Sequence, residues 1–224
     1  ADIVVVPAES LGFTISPALG EQKADDQPDR AARIYESSLE YVLLLYVPAA
    51  AGLVLVAEPA VLTIFGAPYA GAIPALQVFG GLVVARGVHK VTGDGLDFLG
   101  LARVRAVARG AAATANFGLN LLLIPFYGVV GAAVATVVTY SAYTAVNVFY
   151  IHRELSLDVR RLVRSAARTL GVTAVMAGAV FLVMPYVTSL PTLVGAVALG
   201  ASIWAVLAVA IGELDLARVR ALLS

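Results

Sequence analysis

The sequence predicts an all-α, polytopic transmembrane helix bundle, and composition, the lengths of the apolar runs and the placement of charge carry that prediction. Hydrophobic residues make up 60% of the 224 residues and charged residues 13%, and the mean hydropathy is +0.90. These values lie far from those of a soluble domain. Apolar runs return again and again to the roughly 20 residues that a helix needs to cross the hydrocarbon core. Lys and Arg gather in every second connection, the pattern that short cytoplasmic loops impose.

Taken in order, the spans are expected at 38–57, 72–98, 106–125, 129–150, 167–187 and 191–212. Residues 1–19 read as the closing part of a further span, because they open without Met and without a signal-peptide pattern. An earlier part of the protein is therefore expected to precede them. The first complete span contains Pro48, and the second contains Pro74 and the Gly80-Gly81 pair. Such breaks are expected to bend the helices while neighbours re-satisfy the freed backbone groups. The fourth begins "GVVGAAVATVVTY", which sets Gly128, Ala132 and Thr136 on one helical stripe and Gly131, Ala135 and Thr139 on another. Small residues at that spacing let helices approach closely in lipid.

The connections test this map. Lys23, Arg30 and Arg33 precede the first complete span, Arg103, Arg105 and Arg109 follow the second, and Arg153, Arg160, Arg161, Arg164 and Arg168 follow the fourth, with Arg218 and Arg220 in the tail. The intervening connections near 58–71, 126–128 and 188–190 hold no Lys or Arg. The C-terminus is accordingly expected in the cytoplasm and the chain in the cell membrane. Residues 1–151 form the main bundle, 152–166 a basic, amphipathic cytoplasmic linker able to lie on an anionic leaflet, 167–212 a terminal helix pair and 213–224 a cytoplasmic tail. Glu40, near the start of its span, reads as interfacial.

Composition also excludes several classes. With no cysteine, disulfides, thiolate metal sites and cysteine nucleophiles are absent. Lys plus Arg equal Asp plus Glu, so charge gives no reason to expect a nucleic-acid partner. No paired carboxylates, metal-ligand cluster or activated nucleophile is present and the outer loops are short, so neither an enzyme nor a cofactor is expected.

Three stretches carry a family likeness. "ISPALGEQKADD" is similar to a Pro-containing helix end with a charged loop, and "YVPAAAGLVLVAEPAVLTIFGAPYAGAIPALQVFG" to a Pro-Gly span, a short "FG..Y" turn and an Ala-Leu-Gln helix start. "ANFGLNLLLIPFYGVVGAAVATVVTY" adds an Asn-containing helix, a Pro-X-Tyr-Gly turn and a Gly-Ala-Ala-X-Ala-Thr helix. In this order they resemble the polysaccharide and oligosaccharide flippases of the multidrug/oligosaccharidyl-lipid/polysaccharide exporter superfamily. The resemblance covers nearly the whole chain. It implies the C-terminal lobe of a two-lobe exporter-type fold plus two extra helices, with an N-terminal lobe of the same protein as partner. It also implies flipping of a polyprenyl- or dolichyl-linked glycan for cell-surface glycan or glycoprotein synthesis. A cation-coupled drug or metabolite antiporter of the same superfamily and a non-catalytic scaffold of an envelope-assembly complex are the alternatives.

The candidate site follows from "ARGVHKVTGDGLDFLG" at the end of the second span. At 100° per residue, Arg86, His89, Lys90, Asp94 and Asp97 fall within about 140° of arc. Ionisable groups at membrane depth face a bundle interior or an aqueous path. Arg86 and Lys90 are candidate ligands of a phosphate or diphosphate, Arg by a bidentate fork and Lys as a point charge. Asp94 and Asp97 would balance those charges or bind sugar hydroxyls. The competing expectation is an i,i+4 pair of Lys90 with Asp94 on a helix that has already left the membrane. Asn116 and Asn120, four apart on the next span, and Gln77 suit either a sugar path or interhelical hydrogen bonds. His89 reads as a packed or interfacial residue.

Overall fold

The computed structural model describes residues 28–212, and every regular element among them is helical. Helix α1 (Pro28–Ile64) leads through a 3-10 turn (Ala67–Ala72) to α2 (Ile73–Phe98), and α3 (Ala102–Leu155) follows. Then come α4 (Val159–Val183), a short 3-10 turn (Met184–Tyr186) and α5 (Leu190–Ala210). Each long helix or its continuation is long and apolar enough to cross a membrane, and the fold is the all-α polytopic bundle that the composition predicts. The expected span fragment at 1–19, the cation Lys23 and the tail with Arg218 and Arg220 lie outside the described residues.

Among the described residues, five long helices supply the length of six crossings because α3 folds back on itself. A straight helix of 54 residues would extend about 81 Å, more than twice the hydrocarbon thickness. Gly128 takes φ 54° and ψ −132°, outside the helical region, a conformation that suits a residue without Cβ. The two arms, 102–127 and 129–155, then run antiparallel. Asn116 Nδ2 donates to Thr139 Oγ1 across them at 3.1 Å, and a Cβ on Gly131 would come within 2.5 Å of the Leu123 carbonyl oxygen. Both pairs are centred on the same turn, as an αα-hairpin requires. Of the two small-residue stripes, Gly131, Ala135 and Thr139 form the buried one.

Helix α1 solves its proline problem through α5. Pro48 has no N–H to offer the Leu44 carbonyl one turn back. Trp204 Nε1 on α5 donates to that oxygen at 2.9 Å, so a group that would be orphaned in lipid is paired. Pro74 behaves differently from its sequence reading. It sits in the first turn of α2, where a missing N–H costs no helical hydrogen bond, so it starts that helix and does not bend it. Close contact between α1 and α2 depends on Gly87, whose missing Cβ leaves room for the Tyr46 ring, 2.8 Å from where that atom would stand.

The basic connections prove much shorter than the sequence suggests. In the stretch 152–166, α3 runs to Leu155 and α4 starts at Val159, so residues 156–158 alone join the two helices. Ser156 closes α3 in the left-handed conformation, and Asp158 caps α4 by accepting from the Arg161 backbone N–H at 3.1 Å. Arginines that looked like loop residues occupy helical turns, and so do Arg103, Arg105 and Arg109 at the start of α3. Leu157 is buried in a cluster with Ala31, Tyr35, Leu96, Leu99 and Leu155. The start of α1, the end of α2, the end of α3 and the start of α4 therefore meet at one end of the bundle, the end that carries the cations. The opposite end, formed by the two 3-10 turns and Gly128, holds no Lys or Arg between residues 65–72, 126–129 or 184–189.

Candidate functional site

Two ionic clusters occupy the basic end. The first joins α1 to the start of α4. Glu36 and Glu40 lie one turn apart on α1, and the Arg161 guanidinium grips Glu40 with both forks, Nε to Oε1 at 2.8 Å and Nη2 to Oε2 at 3.0 Å. Its remaining nitrogen reaches Glu36 at 3.5 Å, and Ser37 Oγ accepts from Nη2 at 3.3 Å. Glu36, 4% exposed, also accepts the backbone N–H of Asp158 at 2.6 Å. Each carboxylate therefore has a charged partner and at least one hydrogen bond, and the arrangement is closed. The sequence reading missed this cluster, taking Glu40 as interfacial and Arg161 as part of a linker.

The second cluster lies between α2 and the hairpin of α3, where the sequence placed its candidates. Lys90 Nζ and Asp94 form the i,i+4 pair at 3.2 Å. Asp97 is held by Arg105 from the next helix at 2.8 Å. A Cβ on Gly93 would stand 3.3 Å from the Arg105 guanidinium and 3.4 Å from the His89 ring, so Arg105 lies alongside His89. The charges of Lys90, Asp94, Arg105 and Arg109 all reach that imidazole, and those of Arg86 and Arg109 reach the Tyr140 phenol. Arg86 is half-buried on α2, and among the described residues neither it nor Arg109 forms an ion pair.

His89 proves to be the centre of a cage. Its ring meets Tyr143 at a centroid distance of 4.7 Å and Tyr140 edge-on at 5.4 Å. Asn147 Nδ2, on a fully buried side chain, lies 3.5 Å from its Nδ1. Tyr140, Tyr143 and Asn147 are spaced i, i+3, i+7, one face of the second arm. That spacing was visible in the sequence, but nothing in it tied the face to His89.

Asn116 and Asn120 extend the second cluster along the first arm. Arg105, Arg109, Asn116 and Asn120 fall within about 60° of arc at 100° per residue, and from Arg105 to Asn120 the stripe runs about 22 Å. Asn120 Nδ2 donates to Asn116 Oδ1 at 2.9 Å, while Asn120 Oδ1 is buried and without a partner. Gln77 lies more than two turns before Arg86 on α2 and is not brought to this cluster. The wall thus carries four cations, Arg86, Lys90, Arg105 and Arg109, against the two carboxylates Asp94 and Asp97. It can hold an anion and offer amide and phenol groups to hydroxyls.

No protein-family model matches the chain. It is 24% identical over 155 residues to the probable low-salt glycan biosynthesis flippase Agl15 of Haloferax volcanii, a match covering 69% of this chain and 33% of that protein. It is 30% identical over 125 residues to the uncharacterized membrane protein YabM of Bacillus subtilis, covering 56% of this chain and 23% of the relative. The chain thus spans a third or less of the length of the curated relatives it matches. Together with the long apolar helices, these likenesses mark a multi-pass membrane protein.

Proposed function

We propose that the chain belongs to a flippase that carries a lipid-linked oligosaccharide or polysaccharide repeat unit across the cytoplasmic membrane for cell-surface glycan or glycoprotein synthesis. The observation that carries the reading is the surplus of cations on the wall between α2 and α3. A diphosphate-linked glycan is anionic at its lipid junction and rich in hydroxyls beyond it. Arg86 and Arg109, with which no carboxylate among the described residues pairs, match the first feature. The amide stripe through Asn116 and Asn120 matches the second. The name of the Haloferax volcanii relative points the same way. A cation-coupled antiporter would call for a surplus of carboxylates on that wall, and the balance is the reverse.

In this reading the arginine-rich end faces the cytoplasm, so the wall meets its substrate from the side where lipid-linked glycans are assembled. Lys90 and Arg105, each paired with a carboxylate, form a reserve of charge that exchanges partners as the anion arrives and leaves. Full-length protein carrying Arg86→Ala is expected to reach the membrane at normal abundance and to lose surface glycan export. Normal export by that variant overturns the role of the wall.

A further inference from the structure

An open cavity lies on the side of α2 turned away from Lys90, where α2, the 129–155 arm of α3 and the first turn of α4 diverge. It encloses about 560 Å3, and Ala85, Val88, Ser141, Ala145 and Val148 line it, with His152 at the basic end and Val159 and Leu162 of α4 alongside. Its shape fits one leaflet. From Ser141 to His152 the arm rises about 16 Å, close to the roughly 15 Å depth of half a hydrocarbon core. Most of the lining is apolar; besides the small hydroxyls of Ser141 and Thr144, its polar group is His152, at the end where a lipid headgroup would lie. His152 Nδ1 is buried there with no partner. Arg153, which follows it, and Arg160, which follows Val159, are both exposed at the same end. The nearby Asp158 carboxylate accepts from the Arg161 backbone N–H.

We infer that this groove is a binding site for an anionic two-chain lipid of the leaflet at the basic end, with one acyl chain along Ala85, Ala145 and Val148 and the headgroup phosphate at His152, Arg153 and Arg160. The occupant is a bulk membrane lipid and not the transported glycan, because the groove lies on the opposite side of α2 from the cationic wall. Charge complementarity selects it. Each cation near such a headgroup contributes about 1 kcal/mol, so the two arginines correspond to about a thirtyfold preference over a zwitterionic lipid.

The test is native mass spectrometry of the full-length protein released from nanodiscs that hold phosphatidylglycerol and phosphatidylcholine in equal amounts. Wild type is expected to retain phosphatidylglycerol. The double substitution Arg153→Gln/Arg160→Gln is expected to abolish the headgroup preference, and Ala145→Phe, which fills the groove at an exposed position, to reduce retention of both lipids. Arg103→Gln, which removes an exposed cation from the same end but from another helix, is expected to leave retention unchanged. Equal retention of the two lipids by wild type overturns the inference, and so does an equal loss in the Arg103→Gln control. Surface glycan export by Arg86→Ala reports on the cationic wall alone, so a failure of either proposal is distinguishable from a failure of the other.

Discussion

The two ionic clusters at the basic end use the same residue types to opposite effect. Around Arg161, one guanidinium serves two carboxylates and a hydroxyl, and the nearly inaccessible Glu36 has its remaining demand met by the Asp158 backbone. Between α2 and α3, cations outnumber carboxylates, and among the described residues Arg86 and Arg109 have no carboxylate of their own. A closed cluster fixes one helix to another. An open one holds a charge in readiness, and the solvation cost of an ionisable group at membrane depth makes that arrangement worth explaining by a ligand.

Stability measurements separate the two. Arg161→Ala leaves the half-buried Glu40 without its cation and the buried Glu36 with only the Asp158 backbone N–H, and removal of one member of a buried pair costs about 3–5 kcal/mol. Because the guanidinium is itself 40% exposed, the lower end of that range is expected, read as a fall in the thermal unfolding midpoint in detergent. Arg161→Lys, which cannot bridge both carboxylates in a fork, is expected to fall between. Next comes Gly87→Val, which drives a side chain into the Tyr46 ring and is expected to cost about 1–3 kcal/mol by the same measurement. A double-mutant cycle on Lys90 and Asp94, both partly exposed, should return a coupling of only about 0.3–0.5 kcal/mol, the size found for i,i+4 helix pairs. The smallest effect on stability is expected for Arg86→Ala, within about 0.5 kcal/mol of wild type, although this variant is expected to lose export. A large destabilisation by Arg86→Ala would mean that the second cluster is closed as well, and would erase the contrast.

The crossings were legible because the bilayer imposes a length and the sequence repeats it. The turn at Gly128 followed from the same count, since no single helix of that length fits. The charged face of α2 was legible because helical period alone collects Arg86, His89, Lys90, Asp94 and Asp97. What period cannot supply is the partner across a gap. Glu40 and Arg161 stand 121 residues apart, and each alone looks like an interfacial charge. Glu36 and Glu40, one turn apart on α1, were the hint that a cation had to meet them. The stretch 152–166 hid its helix ends for a related reason. Its arginines and leucines suit a surface helix, but burial of Leu157 against α1 and α2 draws the chain into a three-residue turn, and tertiary packing overrides the local pattern.

The hydrogen bond from Trp204 to the Leu44 carbonyl has a spectroscopic consequence. Trp204 is the one tryptophan in this sequence, and its indole N–H is bound to a backbone oxygen exposed by a proline. Any movement that parts α5 from α1 breaks this bond and moves the ring into another environment, so the wavelength of tryptophan emission becomes a built-in gauge of whether the terminal helix stays docked.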